Sequence, residues 1–253
     1  MNDYSFKYGS CSIVIGKYIY NKYLAEKENK LVKVIKLDPT HDEFVYLDEI
    51  KKIENYSSYY CLPDSDVHII RPENEFYKYL EQYFISENPN IFCGPLQCVY
   101  IENAGNKELF DSIFDIIEKN DFTFWKSYNK ILDFTKKILE GLYYLHKIKL
   151  CHLDIKPENI IINTKTYNYK IIDFGFACME PFSRYINHPR GTPGYFPKHY
   201  NNELTTRYLP KIETNDFKKI SGIIPIKQDY KLVYKIDSYC FGRTLNFLKT
   251  AYD

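Results

Sequence analysis

The sequence predicts an α+β fold, with strands in the N-terminal part and helices in the rest. Residues 4–37 alternate apolar and polar side chains and are rich in β-branched and aromatic residues, which is typical of strands. Residues 125–147 place apolar side chains on one helical face, without an internal proline. Of the 253 residues, 45% are hydrophobic, which is enough for a buried core in one large or two small domains.

Charge and cysteine content exclude several classes of protein. A formal net charge of +1 predicts no general attraction to nucleic acid or to an anionic membrane. The seven cysteines are scattered without a CxxC pair, which predicts a reduced, cytoplasmic chain without structural zinc. Neither a signal-peptide core nor an apolar run near the ~18 residues of a membrane helix is found. Richness in Ile, Lys, Asn and Tyr is associated with AT-rich genomes, including viral ones, for which the location would be the host cytoplasm.

Apolar spacing and turn residues predict further elements along the chain. They are helices over 41–56 and 73–86, a strand over 67–71, a buried strand running into a turn over 96–105, and a hairpin that joins 160–162 to 169–172. The polar stretch of about 201–231 is predicted to be a surface insertion.

Residues 152–159, HLDIKPEN, set polar groups at fixed offsets between two apolar stretches. An Asp in such a loop can accept a proton from a hydroxyl group. A Lys two residues later can neutralise phosphate charge, and an Asn five residues after the Asp can hold a divalent cation. Asp154, Lys156 and Asn159 are therefore candidates for phosphoryl-transfer chemistry.

Two later motifs add to this set. Asp173-Phe174-Gly175 follows Asp154 by 19 residues, and a carboxylate beside a flexible glycine can chelate Mg²⁺ that bridges nucleotide phosphates. The second motif, GTPGYFP, covers residues 191–197.

In their order and spacing, these motifs resemble the catalytic loop, the metal-binding motif and the end of the activation segment of eukaryotic-type protein kinases. The resemblance implies a bilobal fold with a small antiparallel β N-lobe over about 1–102. It also implies a hinge over about 102–106 and a mainly helical C-lobe over about 107–253. Lys156 and the Thr at position 192 resemble the Ser/Thr branch of the family.

The resemblance implies Mg²⁺-assisted phosphoryl transfer from ATP to Ser/Thr hydroxyls of a protein. Asp154 would orient or deprotonate the hydroxyl, and Lys156 would stabilise the transferring group. Asn159 and Asp173 would hold the metal, and the Thr192 hydroxyl would bridge Asp154 and Lys156.

The residues that would bind the nucleotide are assigned by their resemblance to the family pattern and by their positions in the sequence. Lys33, in the strand KLVKVIKL over 30–37, takes the place of the lysine that clamps ATP, with Lys36 as the fallback. Glu49, 16 residues later, would pair with that lysine, and Glu43 is the rival. The sequence leaves both alternatives open.

The glycine-rich phosphate loop is degenerate and allows two alignments. One uses Gly9, Ser12 and Val14, with Ser12 in place of the last glycine. The other uses residues 16–23 and keeps only the first glycine. We favour the first alignment because it keeps a tip of small residues, which lets backbone N–H groups approach phosphates.

Residues 96–105 resemble the hinge that carries adenine. There Ile101 would gate the back of the adenine pocket, and the backbones of Glu102 and Ala104 would hydrogen-bond the base. Backbone contacts leave no side-chain pattern, so this assignment rests on position alone.

Leu153 departs from the family pattern, because an Arg usually precedes the catalytic Asp. Leucine cannot make bidentate bonds to an activation-segment phosphate. We therefore predict that phosphorylation of Ser183, Tyr185 or Thr192 is not needed for activity, which phosphatase treatment tests.

The C-terminal part of the chain also departs from the family pattern. Residues 197–199, Pro-Lys-His, replace the Ala-Pro-Glu that anchors the C-lobe. Asp237 begins a stretch resembling the central helix whose Asp holds the catalytic-loop backbone, and the chain ends about one helix later. We expect a C-lobe without its last helices, and a partner could cover the apolar surface over 239–248.

Two alternative functions compete with an active kinase. A pseudokinase or nucleotide-binding scaffold would fit the poor glycine loop and the short C-lobe. A small-molecule phosphotransferase shares an HxD…N loop, but it lacks the lysine of HLDIKPEN and the GTPGY segment.

Overall fold

The computed structural model describes residues 7–9, 12–15, 30–37, 44–86, 91–120, 125, 127–182, 191–197 and 230–251. Its strands are β1 (Lys7–Gly9), β2 (Ser12–Ile15), β3 (Lys30–Lys36), β4 (Pro63–Ile70), β5 (Leu96–Glu102), β6 (Lys107–Glu108), β7 (Leu150–Cys151), β8 (Ile160–Asn163), β9 (Asn168–Ile171) and β10 (Cys178–Met179). Its α-helices are α1 (Leu47–Lys51), α2 (Glu75–Phe84), α3 (Leu109–Lys119), α4 (Tyr128–Lys147) and α5 (Tyr230–Thr250).

The chain forms two compact units. The first comprises Met1–His41 and Cys61–Ala104, and the second comprises Asp42–Tyr60 and Gly105–Asp253. The first contains an antiparallel sheet and the second carries most of the helices, so the predicted α+β class is confirmed.

The first unit is built on a five-stranded antiparallel sheet in the order β1-β2-β3-β5-β4. Its central strands β3 and β5 are largely buried, and β3 is rich in β-branched residues, which favour strands. The predicted strand over 30–37 is confirmed, and the strand predicted within 96–105 extends from Leu96 to Glu102. Strand β4 begins earlier than residue 67 and contains an irregularity after Pro63.

Helix α2 covers one face of this sheet, and the predicted helix over 73–86 is confirmed. It begins at Asn74, whose side chain accepts a hydrogen bond from the Phe76 N–H at 2.8 Å. Its buried side chains Phe76, Tyr77, Leu80 and Phe84 join a core with Val32, Val34, Leu96, Cys98 and Tyr100 of the sheet. These sheet residues alternate along their strands, so one face of the sheet packs on α2.

The second unit contains α4, which presents the apolar face that its sequence predicts. Phe134, Ile138, Leu142 and Leu145 are buried, and the Phe134 ring lies 5.8 Å from the Phe241 ring of α5. The helix of the predicted bounds 125–147 is confirmed from Tyr128 onward. Helix α5 begins at Tyr230, so the last two residues of the predicted insertion belong to a helix.

Two small sheets complete the second unit. Strands β8 and β9 form the predicted hairpin, and β6 adds to β8 as a third strand. Strands β7 and β10 pair separately. The sequence analysis did not predict α3, β6, β7 or β10.

The prediction of a helix over 41–56 was wrong in its length, because α1 has only five residues. The Ile53 N–H donates to the Ile50 carbonyl, which tightens the chain into a 3-10 turn, and Asn55 adopts a left-handed φ of 55°.

The same segment also groups with the second unit, whereas the sequence placed it in the N-lobe. The Tyr60 hydroxyl donates to the Gly141 carbonyl at 2.6 Å, and the Ile171 N–H donates to the Tyr59 carbonyl at 2.8 Å. These bonds attach Asp42–Tyr60 to α4 and β9.

Several sequence-based predictions lie outside the described residues. They concern the second glycine-loop alignment over 16–23, Glu43, Ser183 and Tyr185, and residues 201–229 of the insertion. Among the helices that are described, none is long and apolar enough to cross a membrane.

Candidate active site

The loop over 152–159 is held at its start by Asp237, which is fully buried in α5. Its Oδ2 accepts a hydrogen bond from the His152 N–H at 2.9 Å, and its Oδ1 accepts one from the Leu153 N–H at 2.7 Å. Charge-assisted hydrogen bonds of this kind are the strong ones. The predicted role of Asp237 in holding the loop backbone is confirmed.

His146 of α4 supports the same carboxylate, a contact that the sequence analysis missed. Its Nε2 lies 2.9 Å from Asp237 Oδ2, and its ring lies 4.9 Å from the Tyr234 ring. The Tyr234 hydroxyl donates a hydrogen bond to Glu180 Oε1 at 2.6 Å, and Lys149 Nζ lies 3.5 Å from Glu180 Oε2. A network of polar side chains therefore surrounds the base of the loop.

Asp154, Lys156 and Thr192 form a close triangle. The Thr192 hydroxyl donates to Asp154 Oδ1 at 2.6 Å and accepts from Lys156 Nζ at 2.8 Å. Lys156 Nζ also lies 3.1 Å from Asp154 Oδ2, and the Thr192 N–H donates to Asp154 Oδ1 at 3.1 Å. The prediction that Thr192 bridges Asp154 and Lys156 is confirmed.

Asn159 lies beside the same carboxylate and is almost fully buried. Its Nδ2 donates to the Asp154 carbonyl at 2.8 Å and to Asp154 Oδ2 at 2.9 Å. Both amide hydrogens are thereby used, which fixes the side-chain amide and leaves its oxygen as the atom that could ligate a cation.

His152 connects the loop to Ile172, the residue between β9 and Asp173. Its Nδ1 accepts from the Asp154 N–H at 3.3 Å, and its Nε2 lies 3.0 Å from the Ile172 carbonyl, to which it donates as the neutral tautomer. The His152 ring packs 4.9 Å from the Phe174 ring, which is fully buried.

Asp173 adopts a left-handed φ of 64°, which is uncommon for a residue other than glycine. Its Oδ1 accepts from the Gly175 N–H at 3.2 Å. Such backbone conformations cluster at functional sites, where the surrounding structure maintains them.

Leu153 of the catalytic loop also adopts a left-handed φ, of 66°, and its side chain is fully buried. The residue that replaces the usual Arg therefore contributes to the core of the loop. The predicted independence from phosphorylation stays a prediction.

In the first unit, Lys33 is 7% exposed and Lys36 is exposed. Lys33 pairs with Val14 of β2 and Val99 of β5, so these residues share the sheet face opposite α2. Gly9 and Ser12 are partners in the antiparallel pairing of β1 with β2, so two residues of the first glycine-loop alignment lie opposite each other in the sheet.

The remaining predicted residues make local contacts. The Ala104 N–H donates to the Glu102 carbonyl at 3.0 Å, so the predicted adenine-binding groups form a tight turn. Glu49 of α1 accepts a hydrogen bond from Lys52 Nζ at 2.5 Å.

Burial and nearby carboxylates raise the pKa of several cysteine and tyrosine side chains around the site. Burial, followed by the charge of Asp237, raises the pKa of the Cys151 and Cys240 thiols, which are therefore protonated near neutral pH. Burial, followed by the charge of Glu158, raises the pKa of Tyr195 to about 12.

Comparison with known proteins agrees with this geometry. The family model described as "Protein kinase domain" matches residues 32–205, and the chain belongs to the eukaryotic-type protein kinase family. It resembles the crystal structure of a kinase domain with a TM-score of 0.57 and 20% identity, over 96% of this chain and 61% of that chain. This likeness shows the fold.

Curated relatives are Ser/Thr and other protein kinases. The chain is 28% identical to the SNF1-like protein kinase ssp2 of Schizosaccharomyces pombe over 192 residues, which are 75% of this chain and 31% of that protein. It is 31% identical to serine/threonine-protein kinase chk-2 of Caenorhabditis elegans over 156 residues, which are 57% of this chain and 31% of that protein. The chain thus spans less than a third of the length of either relative.

Proposed function

We propose that the chain transfers the terminal phosphoryl group of ATP to Ser or Thr hydroxyls of a protein substrate, with magnesium as cofactor. The observation that carries the proposal is the triangle of Asp154, Lys156 and Thr192. It brings a carboxylate, an ammonium group and a hydroxyl within hydrogen-bond distance of one another. The Ser/Thr kinases among the relatives support the choice of acceptor.

Asp154 is the catalytic base or orienting group in this proposal. Its Oδ1 already accepts a hydrogen bond from the hydroxyl of Thr192, which is the interaction that a substrate hydroxyl needs. Lys156 Nζ, 3.1 Å from Oδ2, places a positive charge next to that carboxylate. This charge stabilises the negative charge that develops on the transferring group.

The oxygen atoms of Asn159 and Asp173 fit a magnesium ion, because Mg²⁺ prefers carboxylate and amide oxygens. The two hydrogen bonds from Asn159 Nδ2 to Asp154 orient the amide for this purpose. When bound, magnesium neutralises phosphate charge. Asn159 and Asp173 would hold it.

The first unit would contribute the nucleotide-binding residues. Burial of Lys33, together with its position beside Val14, supports it over Lys36 as the lysine for the α- and β-phosphates. The pairing of Gly9 with Ser12 in the β1–β2 ladder supports the first alignment of the phosphate loop. Glu49 as partner of Lys33 is part of the proposal.

Adenine would form hydrogen bonds with the backbones of Glu102 and Ala104. The hydrogen bond from the Ala104 N–H to the Glu102 carbonyl would break when adenine binds. A partner on residues 239–248 and a cytoplasmic location also remain proposals. Cys240, Phe241 and Leu248 of that stretch are already buried.

Transfer of label from γ-³²P-ATP to a generic basic protein tests the proposed function. Asp154→Asn should lower the rate by about 10²–10⁴-fold, the usual contribution of a general base. Asp133→Asn, at an exposed site of α4, makes the same chemical change away from the site and should keep the wild-type rate.

Three other results would contradict the proposal. Nucleotide binding without transfer would identify a pseudokinase or scaffold. Transfer only to small alcohols or amines would identify a small-molecule phosphotransferase. Equal transfer by Asp154→Asn and wild type would remove Asp154 from the mechanism.

A further inference from the structure

Two cysteines face each other at the base of the catalytic loop. Strands β7 and β10 pair antiparallel with Cys151 opposite Cys178, and the bond from the Glu180 N–H to the Lys149 carbonyl continues this ladder at 2.9 Å. Residues directly opposite in such a ladder have Cβ atoms about 4.5–5.5 Å apart on the same face. A disulfide needs about 3.5–4.5 Å, so a closure of about 1 Å would allow the two sulfur atoms to bond.

Both thiols are protected while the ladder is closed. Cys151 is fully buried and Cys178 is 4% exposed. Burial, followed by the charge of Asp237 and then by Cys178, raises the pKa of the Cys151 thiol. Because the thiolate is the reactive form, oxidation requires the ladder to open locally. Each strand of this ladder has only two residues, so opening breaks few hydrogen bonds.

We propose that Cys151 and Cys178 form a reversible disulfide on exposure to a peroxide, and that this bond lowers kinase activity. One thiolate attacks the O–O bond of hydrogen peroxide, which gives a sulfenic acid and, after proton transfer, water. The other thiolate attacks the sulfenic sulfur, which forms the S–S bond and releases a second water. Two thiols are oxidised and one peroxide is reduced, and a dithiol reductant reverses the change.

The effect on activity follows from the position of the pair. Cys151 precedes His152, whose N–H is held by Asp237, and the Cys151 sulfur lies within 4.8 Å of an Asp237 carboxylate oxygen. Cys178 follows Gly175 by three residues. Drawing the two strands together shifts the start of the loop against Asp237. A displacement of about 1 Å in an active site can lower a rate about 100-fold, and we expect a loss of at least about tenfold here.

The activity effect rests on the proposed function, whereas bond formation does not. The experiment uses the full chain with the exposed Cys93 replaced by serine, which limits bonds between molecules. Protein treated with hydrogen peroxide is digested without reductant, and its peptides are weighed. We expect a linked pair containing Cys151 and Cys178, lighter by two hydrogen atoms than the separate peptides.

Two variants provide the comparison. Cys178→Ala should abolish the linked pair and the loss of activity on oxidation. Cys240→Ala, which removes a thiol that is equally buried but lies on helix α5, should keep both. Dithiothreitol should restore the activity of the oxidised protein.

The outcomes separate the two proposals. Absence of the linked pair, or oxidation confined to other cysteines, would overturn the disulfide. A linked pair with unchanged phosphoryl transfer would overturn its regulatory effect. A linked pair in a protein whose reduced form has no kinase activity would leave the disulfide standing and contradict the proposed function.

Discussion

The Asp237 carboxylate accepts a 2.7 Å hydrogen bond from the backbone of Leu153, a residue with a φ of 66° that lies 84 positions earlier in the chain. Together with its bond to the His152 N–H, this contact fixes the entry to the catalytic loop. A left-handed leucine persists only where its surroundings hold it.

Asp237→Ala is therefore expected to lower the free energy of unfolding by at least about 2 kcal/mol, because it leaves two buried N–H groups without their acceptor. Denaturant titration measures this change. Asp133→Ala, at an exposed helical position, should change stability by less than about 0.5 kcal/mol. Similar losses in the two variants would show that Asp237 does not hold the loop.

Thr192→Val is expected to lower kcat about tenfold if the chain has the proposed activity. The change removes the hydroxyl that joins Asp154 and Lys156, and a hydrogen bond to a charged group contributes about 1.5 kcal/mol. Thr192→Ser keeps the hydroxyl and should stay within about threefold of wild type. Steady-state kinetics that find the valine variant as active as the serine variant would contradict this role.

Stability should fall in alkaline solution because of buried tyrosines. Burial raises the pKa of Tyr60 far above its ordinary value and that of Tyr169 to about 12. Above about pH 10 the unfolded chain loses these protons while the folded chain keeps them, so unfolding becomes more favourable as pH rises. Each such tyrosine contributes a slope of about 1.4 kcal/mol per pH unit.

Tyr60→Phe cannot ionise, so it should reduce the slope above pH 10 by that amount. At neutral pH the same variant loses the bond to the Gly141 carbonyl and about 1 kcal/mol of stability. Denaturant titrations across this pH range measure both effects. Tyr143→Phe, at an exposed site, should leave both values unchanged, and an unaltered slope in Tyr60→Phe would refute the assignment.

Gly105→Ala is expected to destabilise the second unit by about 1–3 kcal/mol. A Cβ at this position would lie 2.4 Å from the Ile162 carbonyl oxygen, and a backbone atom in a sheet cannot easily move. At Gly94 a Cβ would meet nothing within 4 Å, so Gly94→Ala is the matched control. Equal unfolding free energies for the two variants would contradict the predicted clash.

The sequence predicted the site best where residues with suitable side-chain chemistry occur at a fixed spacing. The spacing of polar residues within HLDIKPEN predicted that Asp154, Lys156 and Asn159 lie together. The predicted bridge from the Thr192 hydroxyl to Asp154 and Lys156 is also confirmed. Apolar spacing also predicted α2 and α4, because each buries one continuous stripe of side chains.

Other features depend on contacts that no local pattern encodes. His146 lies 91 residues from Asp237, and nothing around it in the chain indicates that pairing. Strands β7 and β10 are too short to show alternation. Helix α3 could have been found, since Leu109, Ile113 and Ile116 repeat at helical intervals.

The division of the chain into two units determines which fragments of the protein contain a complete unit. The path leaves the first unit after His41, returns to it at Cys61 and leaves again after Ala104. A fragment ending at residue 104 would carry Leu47, Ile50 and Tyr60 away from the core to which they belong. Cleavage after residue 104 therefore leaves the second unit without residues 42–60, and co-expression of both pieces is the arrangement in which that unit could be rebuilt.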